Sequence, residues 1–253
     1  MIFYFSATGN SKYVAKRITD VLKEEIISIP ECIKNESYHF TVKEGEAVGI
    51  VSPTYFGGLP TIVCDFLGRL KLSSTEKPYV YFVATCGTTS GWSGGLADDF
   101  MAEKGYPLSA GFSVKMPDNF TPIFDVSNPE KVGRINARAE PQIDEVVKKV
   151  AEKKPGNFIR GRAPKLLNKL CSPIYERLRE TKHFHAEDGC TGCGLCEREC
   201  PAGAIELRGG KPVWVKDKCV LCLGCLHRCP VFSIQYRKRT KKHGQYVNPN
   251  VKI

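Results

Sequence analysis

Short apolar runs alternate with amphipathic stretches over the first 154 residues of this 253-residue chain. Val14, Ile18, Val21 and Leu22 recur at the spacing of one helical face. The pattern predicts strands at Ile2–Phe5, Ala47–Val51, Pro78–Thr85 and about Leu108–Lys115. It predicts helices at 12–22, about Thr61–Leu70, Gly94–Glu103 and about Pro129–Glu152. This strand–helix alternation favours a parallel sheet covered by helices on both faces.

Three loops follow predicted strands, at the edge where such sheets open their ligand crevice. The first, Ser6–Ser11, carries hydroxyls and one glycine at a predicted helix N-terminus, where free N–H groups favour an anion. It lacks both the Gly-Lys-Ser/Thr of a nucleoside triphosphate loop and the GxGxxG of a dinucleotide site. A capped helix after a polar turn is the alternative interpretation.

The other two loops favour a cofactor cleft. Ser52–Pro60 places two aromatic residues beside a glycine pair, and Thr85–Gly95 is rich in glycine and hydroxyls. Aromatic side chains can sandwich a planar ring while loop amides hydrogen-bond its polar edge. The candidate cofactor-binding residues are Ser6, Ala7, Thr8, Gly9, Asn10, Ser11, Pro53, Thr54, Tyr55, Phe56, Gly57, Thr85, Cys86, Gly87 and Trp92.

The Ser6-x-Thr8-Gly9-Asn10-Ser11 signature and the two later loops resemble flavodoxin over about residues 1–152. The resemblance implies a flavodoxin-like, five-stranded, doubly wound parallel sheet with one non-covalent FMN. The phosphate would lie on the first loop and the isoalloxazine between the 53–57 and 85–92 loops. Two features depart from the family: the third loop offers only Trp92 as a stacking partner, and this stretch is nearly neutral where flavodoxins are usually acidic.

Composition and charge divide the chain in two. Hydrophobic residues make up 42% and charged residues 25%, which is globular composition. Of the net charge of +10, residues 1–155 contribute −1 and residues 156–253 contribute +11. The sequence lacks a membrane span and a leader peptide, which predicts a cytoplasmic protein. In a reducing compartment, twelve cysteines favour metal or cluster ligation over disulfides.

Eight of the cysteines form an internal duplication with an offset of 29 residues. Each half has the pattern C-x2-C-x2-C-x3-C-P, running from Cys190 to Pro201 and from Cys219 to Pro230. Structural zinc is the alternative, although zinc sites usually pair two separated C-x2-C knuckles. The pattern resembles the bacterial dicluster ferredoxins over about residues 186–236, a small α+β fold. That resemblance implies two [4Fe–4S] clusters in which the fourth cysteine of each run ligates the other cluster. The implied ligand sets are Cys190, Cys193, Cys196 and Cys229 for one cluster, and Cys219, Cys222, Cys225 and Cys200 for the other.

The resulting organisation has four parts. We expect a flavodoxin-like domain at 1–154, a basic helical linker at 155–185, a ferredoxin domain at 186–236 and a basic tail at 237–253. The order resembles the flavodoxin–ferredoxin fusion proteins of anaerobic bacteria and archaea. The implied function is electron transfer between two [4Fe–4S] clusters and FMN, and on to a redox partner protein.

Two questions stay open at the level of sequence. An FMN-dependent reductase of a small-molecule acceptor is the alternative function, although no catalytic residue and no NAD(P)H motif is visible. The basic tail is either solvated or a docking patch for an acidic redox partner. A specific nucleic-acid role is disfavoured, because no recognition motif accompanies the basic run.

Overall fold

The computed structural model describes the backbone of residues 1–253 and every side chain except that of Leu167. The strands are β1 Ile2–Tyr4, β2 Ile26–Ser28, β3 His39–Val42, β4 Val48–Pro53, β5 Lys71–Ser74, β6 Val80–Cys86, β7 Ala110–Lys115, β8 Gly156–Phe158, β9 Phe184–Ala186, β10 Ile205–Arg208, β11 Lys211–Trp214 and β12 Ile234–Tyr236. The helices are α1 Asn10–Leu22, α2 Ile29–Lys34, α3 Thr61–Arg69, α4 Ser93–Ala102, α5 Pro129–Ala151, α6 Lys165–Leu178, α7 Leu195–Arg198, α8 Gly224–His227 and α9 Thr240–His243. None of the helices described here is both long and apolar enough to traverse a lipid bilayer.

The central sheet is parallel throughout and has the strand order β2-β1-β4-β6-β7-β8. The predicted doubly wound fold is therefore confirmed, with six strands where five were expected. The sixth, β8, lies in the stretch assigned to the linker, pairs with the start of β7, and stacks Phe158 on Phe112 at 5.3 Å. At three residues, β2 and β8 are too short to produce a period-two pattern.

Both faces of the sheet are buried under helices, as the apolar strands require. On one face Phe3, Ile50 and Phe82 pack against α2, α3 and α4. On the other face Ile2 and Val83 pack against α1 and α5. Successive strand residues point to opposite faces, so both layers are encoded in continuous apolar runs.

The cysteine-rich module is a small α+β unit with its own apolar core. Strands β9 and β12 pair antiparallel, and β10 and β11 form a second antiparallel pair. The two short helices, α7 and α8, occupy equivalent positions in the two cysteine repeats. Phe184, Leu226, Ile234 and Tyr236 are buried between these elements, and Trp214 stacks on Phe184 at 5.5 Å. The structure confirms the predicted fold class of the second domain, a small α+β unit.

The chain end does not stay in solvent as a whole. The basic side chains of the 237–242 run are exposed, but the following segment returns to the first module. The Asn248 N–H donates to the Thr8 carbonyl oxygen at 2.8 Å, and the buried Tyr246 hydroxyl donates to Asn10 Oδ1 at 2.7 Å. The tail thus has an exposed basic part and a part that packs on the first module. The second part was not predicted, because its polar residues show no periodic pattern.

We expect Tyr246→Phe to loosen this docked segment, because it removes a buried hydrogen bond worth about 1 kcal/mol. Hydrogen exchange of the Asn248 amide should become about fivefold faster. Tyr79→Phe is the matched control, since it removes a hydroxyl bond to Lys154 that is exposed and distant in sequence from the tail. Unchanged exchange in Tyr246→Phe would contradict the docking.

Candidate functional site

The first loop is built as an anion site at the N-terminus of α1. Gly9 has φ 99°, a left-handed conformation that favours glycine, and its N–H donates to Ser6 Oγ at 3.1 Å. No other backbone N–H between Ser6 and Lys12 has a partner among the described residues. Free N–H groups and the helix dipole converge there, as a phosphate requires.

All three predicted loops reach one cavity of about 260 Å³ at the carboxyl edge of the sheet. Of the predicted residues, thirteen line it: Ser6, Ala7, Thr8, Asn10, Ser11, Pro53, Thr54, Tyr55, Phe56, Gly57, Thr85, Cys86 and Gly87. Ser11 Oγ and Thr85 Oγ1 lie 2.8 Å apart, which ties the first loop to the third. Burial raises the pKa of the Cys86 thiol to about 11, so this cavity thiol is protonated at neutral pH.

Gly9 and Trp92 are the two predicted residues that do not line the cavity. Gly9 serves the backbone turn and faces Asn248 of the C-terminal segment. The Trp92 ring packs against Gly95 and lies 5.9 Å from the Arg162 guanidinium. The backbone N–H of Trp92 donates to the Gly57 carbonyl at 2.7 Å, and this bond joins the second and third loops.

A fourth loop, which sequence reasoning missed, completes the polar wall. It follows β7 and contributes Pro117, Asp118, Asn119 and Phe120 to the cavity. Burial raises the pKa of the Asp118 carboxyl, although the Thr88 hydroxyl and the Phe120 N–H donate to it. The signal was available, because β7 was predicted and its carboxyl end belongs to the same edge of the sheet.

The second module closes the cavity from outside the sheet. Leu221, Cys222 and Leu223, from the second cysteine repeat, line it together with the first-module loops. Next to them, Phe56 stacks on Tyr175 of α6 at 5.2 Å, and Tyr175 donates its hydroxyl to the Val220 carbonyl at 2.7 Å. The cavity wall therefore contains residues of both modules, and Tyr175 of the helix between them packs against it from outside.

Cys222 also faces a second, smaller cavity. That cavity is lined by four of the motif thiols together with apolar residues, the thiols being those of Cys200, Cys219, Cys222 and Cys225. Burial and the neighbouring thiols raise the pKa of Cys219 to about 11 and that of Cys222 to about 12. Buried thiols of this kind become good ligands when a cation supplies the missing positive charge.

The remaining motif cysteines lie outside this second cavity. Cys190 and Cys193 are close enough to Cys196 to raise its pKa, after the larger effect of burial, and Cys193 is exposed. The fourth cysteines of the two runs have matching environments: the N–H of Ala204 points to Cys200 Sγ and that of Ser233 to Cys229 Sγ, each at 3.3 Å. Among the described residues, no three His, Cys, Asp or Glu side chains surround the position of a single metal ion.

His227, within the second run, binds the two modules together. Its Nδ1 accepts the Tyr246 N–H at 3.1 Å, which leaves Nε2 to donate to the Asn119 carbonyl at 2.8 Å. Burial lowers its pKa to about 4, so the ring is neutral at pH 7. It therefore carries no positive charge next to the cysteines.

Comparison with protein families places a flavodoxin domain at residues 1–118 and a 4Fe-4S dicluster domain at residues 189–234. Comparison with curated proteins finds no match. The chain thus joins an N-terminal flavodoxin domain to a C-terminal 4Fe-4S dicluster domain. The first implies FMN and the second implies iron–sulfur clusters. This is an FMN and iron–sulfur electron-transfer protein.

Three solved structures are similar to part of this chain at low sequence identity. The Trp repressor binding protein of Bacillus subtilis is 11% identical, with 58% of this chain and 96% of that one covered and a TM-score of 0.38. Rubredoxin oxygen:oxidoreductase from Desulfovibrio gigas is 15% identical over 60% of this chain and 36% of its own, with a TM-score of 0.34. Fusobacterium nucleatum flavodoxin bound to flavin mononucleotide is 15% identical over 58% of this chain and 96% of its own, with a TM-score of 0.32.

The fourth loop can be tested through Gly87. A methyl group there would overlap the Asp118 side chain, so Gly87→Ala should displace this side chain from the cavity wall. We expect the Kd for FMN, measured by quenching of flavin fluorescence, to rise at least tenfold, about 1.4 kcal/mol of lost affinity. Gly133→Ala in α5 is the control, because its methyl group meets nothing within 4 Å. A wild-type Kd in Gly87→Ala would place Asp118 outside the flavin site.

Proposed function

We propose that the protein passes electrons between its two [4Fe–4S] clusters and FMN, and on to a redox partner protein. The observation that carries this proposal is the position of Cys222, which lines both the flavin cavity and the cavity shared by the four motif thiols. A cluster ligand in the wall of the flavin site gives electrons a direct path between the two cofactors. No separate substrate is needed for that step.

The cysteines divide into an inner and an outer ligand set. Cys200, Cys219, Cys222 and Cys225 share one cavity, which supports the crossed assignment of Cys200 to the second run. We assign them to an inner cluster. The outer cluster then takes the other four cysteines, namely Cys190, Cys193, Cys196 and Cys229.

The residues of the flavin cavity suit FMN in chemistry. The free N–H groups and hydroxyls of the Ser6–Ser11 loop match a phosphate, and the polar and aromatic loops match a planar ring with one polar edge. When bound, FMN exchanges one or two electrons, whereas each cluster exchanges one. Placed in series, the three groups convert single-electron supply into two-electron delivery, or the reverse.

A redox partner can approach the protein at the surface beside the outer cluster. Cys193 is exposed, whereas the four cysteines of the inner set are only partly exposed. Near it, Lys241 of the basic run pairs with Glu187 at 2.5 Å, and the Glu187 carbonyl accepts the Cys190 N–H at 3.1 Å. The exposed basic run therefore lies beside the outer ligands, which favours an acidic partner surface.

Reduction of a small acceptor at the flavin is the second candidate. Two observations favour it: the cavity contains the protonatable carboxyl of Asp118, and Ile123 lies at its mouth with 61% of its surface exposed. A general acid at a reachable flavin is what such a reaction needs. Rapid turnover of the reduced protein with a defined small acceptor, and without any partner protein, would rank this function first.

The crossed ligand assignment predicts how cysteine variants fall into pairs. We expect Cys200→Ser and Cys219→Ser to remove the same cluster, and Cys190→Ser and Cys229→Ser to remove the other. Each variant should keep about half of the iron and sulfide, and the remaining cluster should give one of two distinct electron paramagnetic resonance signals. Cys171→Ser, outside both runs, should keep the full iron content. Matching signals for Cys200→Ser and Cys190→Ser would contradict the crossing.

Electron passage within one molecule has a kinetic signature. After anaerobic photoreduction of the clusters, the flavin should be reduced at a rate that does not change over a tenfold dilution of the protein, because both centres belong to one chain. Cys222→Ser should slow this phase and Cys171→Ser should leave it unchanged. A rate proportional to protein concentration, or an unreduced flavin, would refute the proposal.

A further inference from the structure

The two cysteine repeats share a left-handed backbone at three equivalent positions, yet differ there in side chain. In the first repeat the positions are glycines, with φ of 68°, 75° and 53° at Gly192, Gly194 and Gly203. In the second repeat the residues 29 positions later are bulky, with φ of 56°, 56° and 50° at Leu221, Leu223 and Phe232. The backbone has been kept while the residue best suited to it has been replaced.

This replacement is unfavourable for the local backbone. Residues with a Cβ are disfavoured in the left-handed region, and glycine is not. The first repeat has the same ligand spacing with glycines, so the spacing does not itself require large side chains. Strained backbone of this kind persists where the side chain has another role.

The side chains of the two leucines have such a role at the flavin cavity. Leu221 and Leu223 flank Cys222 and line the flavin cavity, where they belong to the same apolar cluster as Phe56 and Phe120. Phe232 does not line this cavity; its ring lies 5.2 Å from the Lys241 ammonium. Of the three bulky residues, only the two next to Cys222 therefore line the flavin cavity.

We propose that Leu221 and Leu223 are flavin-binding residues, supplied by the iron–sulfur module, that contact the apolar dimethylbenzene part of the isoalloxazine. The inference rests on the proposed function, because it requires FMN in this cavity. The polar wall of the cavity comes from other segments, including the loops that carry Thr88, Asp118 and Asn119. The leucine pair is the apolar complement of that wall, and it excludes water from the space between the flavin and Cys222.

The test restores the residues of the first repeat in the intact protein. The double variant Leu221→Gly/Leu223→Gly should keep both clusters, as judged by iron and sulfide content, since the first repeat has glycines at these positions. Its Kd for FMN should rise at least tenfold, and the bound flavin should show an absorption band closer to that of free FMN. Phe232→Gly is the matched control, with the same backbone change away from the cavity, and should keep the wild-type Kd.

A second variant separates the side chains from the backbone. Asparagine tolerates left-handed φ, so Leu221→Asn/Leu223→Asn keeps the backbone but places amides against the flavin. It should weaken FMN binding as the glycine pair does. The proposal is overturned if either pair binds FMN within twofold of wild type, or if Phe232→Gly weakens binding equally. Loss of iron in both pairs would also overturn it, because the leucines would then hold the cluster.

These outcomes are distinct from failure of the proposed function. That function fails if the wild-type protein binds no FMN, or if its reduced clusters leave bound FMN oxidised. The role proposed for Leu221 and Leu223 fails if the wild-type protein binds FMN and reduces it through its clusters, and the leucine variants bind FMN equally well.

Discussion

Both cofactor sites depend on one contact, the packing of the second cysteine run against the loops at the carboxyl edge of the parallel sheet. At its centre Gly224 faces Ala7 of the first loop, and a methyl group on Gly224 would lie 3.5 Å from the Ala7 Cβ. The equivalent residue of the first run is Leu195, whose side chain would not fit in that space. The second run therefore provides the close approach to Ala7, while Ala202, just after the first run, packs against the apolar core of the first module.

The duplication has diverged in the way that this contact requires. The charged residues Glu197 and Arg198 of the first run correspond to Leu226 and His227 of the second, and both of the latter are buried. A charge at either position would have to be desolvated against the first module, at a cost that a neutral, hydrogen-bonded imidazole avoids. In the first run Arg198 is exposed and Glu197 is only half-buried, so neither charge has to be fully desolvated. The two runs share their cysteine spacing but differ in the burial of the residues between the cysteines.

Sequence reasoning reached the parts of this architecture that are local in the chain. The long central strands β4, β6 and β7 are continuous apolar runs, the eight cysteines repeat at a fixed offset, and the first loop carries its hydroxyls within six residues. It missed β2 and β8, whose three residues leave no periodic pattern. It also included Trp92 among the candidate cofactor-binding residues, whereas this residue does not line the cavity, because a glycine-rich loop indicates flexibility but not the direction of a side chain. Gly91 in fact abuts Gly57 and joins two loops.

The parts that could not be predicted are contacts between distant segments. Asn119, Thr8, Asn248 and His227 are far apart in the sequence, and no motif links them to one another. They nevertheless form a continuous set of polar contacts. His227 donates to the Asn119 carbonyl, the Asn119 amide donates to the Thr8 hydroxyl, and the Thr8 carbonyl accepts the Asn248 N–H. The Tyr246 N–H donates to His227 Nδ1, so the segment that carries Asn248 is also bound to this ring. The buried members Thr8, His227 and Asn248 thereby gain partners, where an unpaired buried polar group would cost about 1–3 kcal/mol. The first loop, the fourth loop, the second cysteine run and the chain end are therefore joined by directional bonds, at the point where Cys222 lines the cavity.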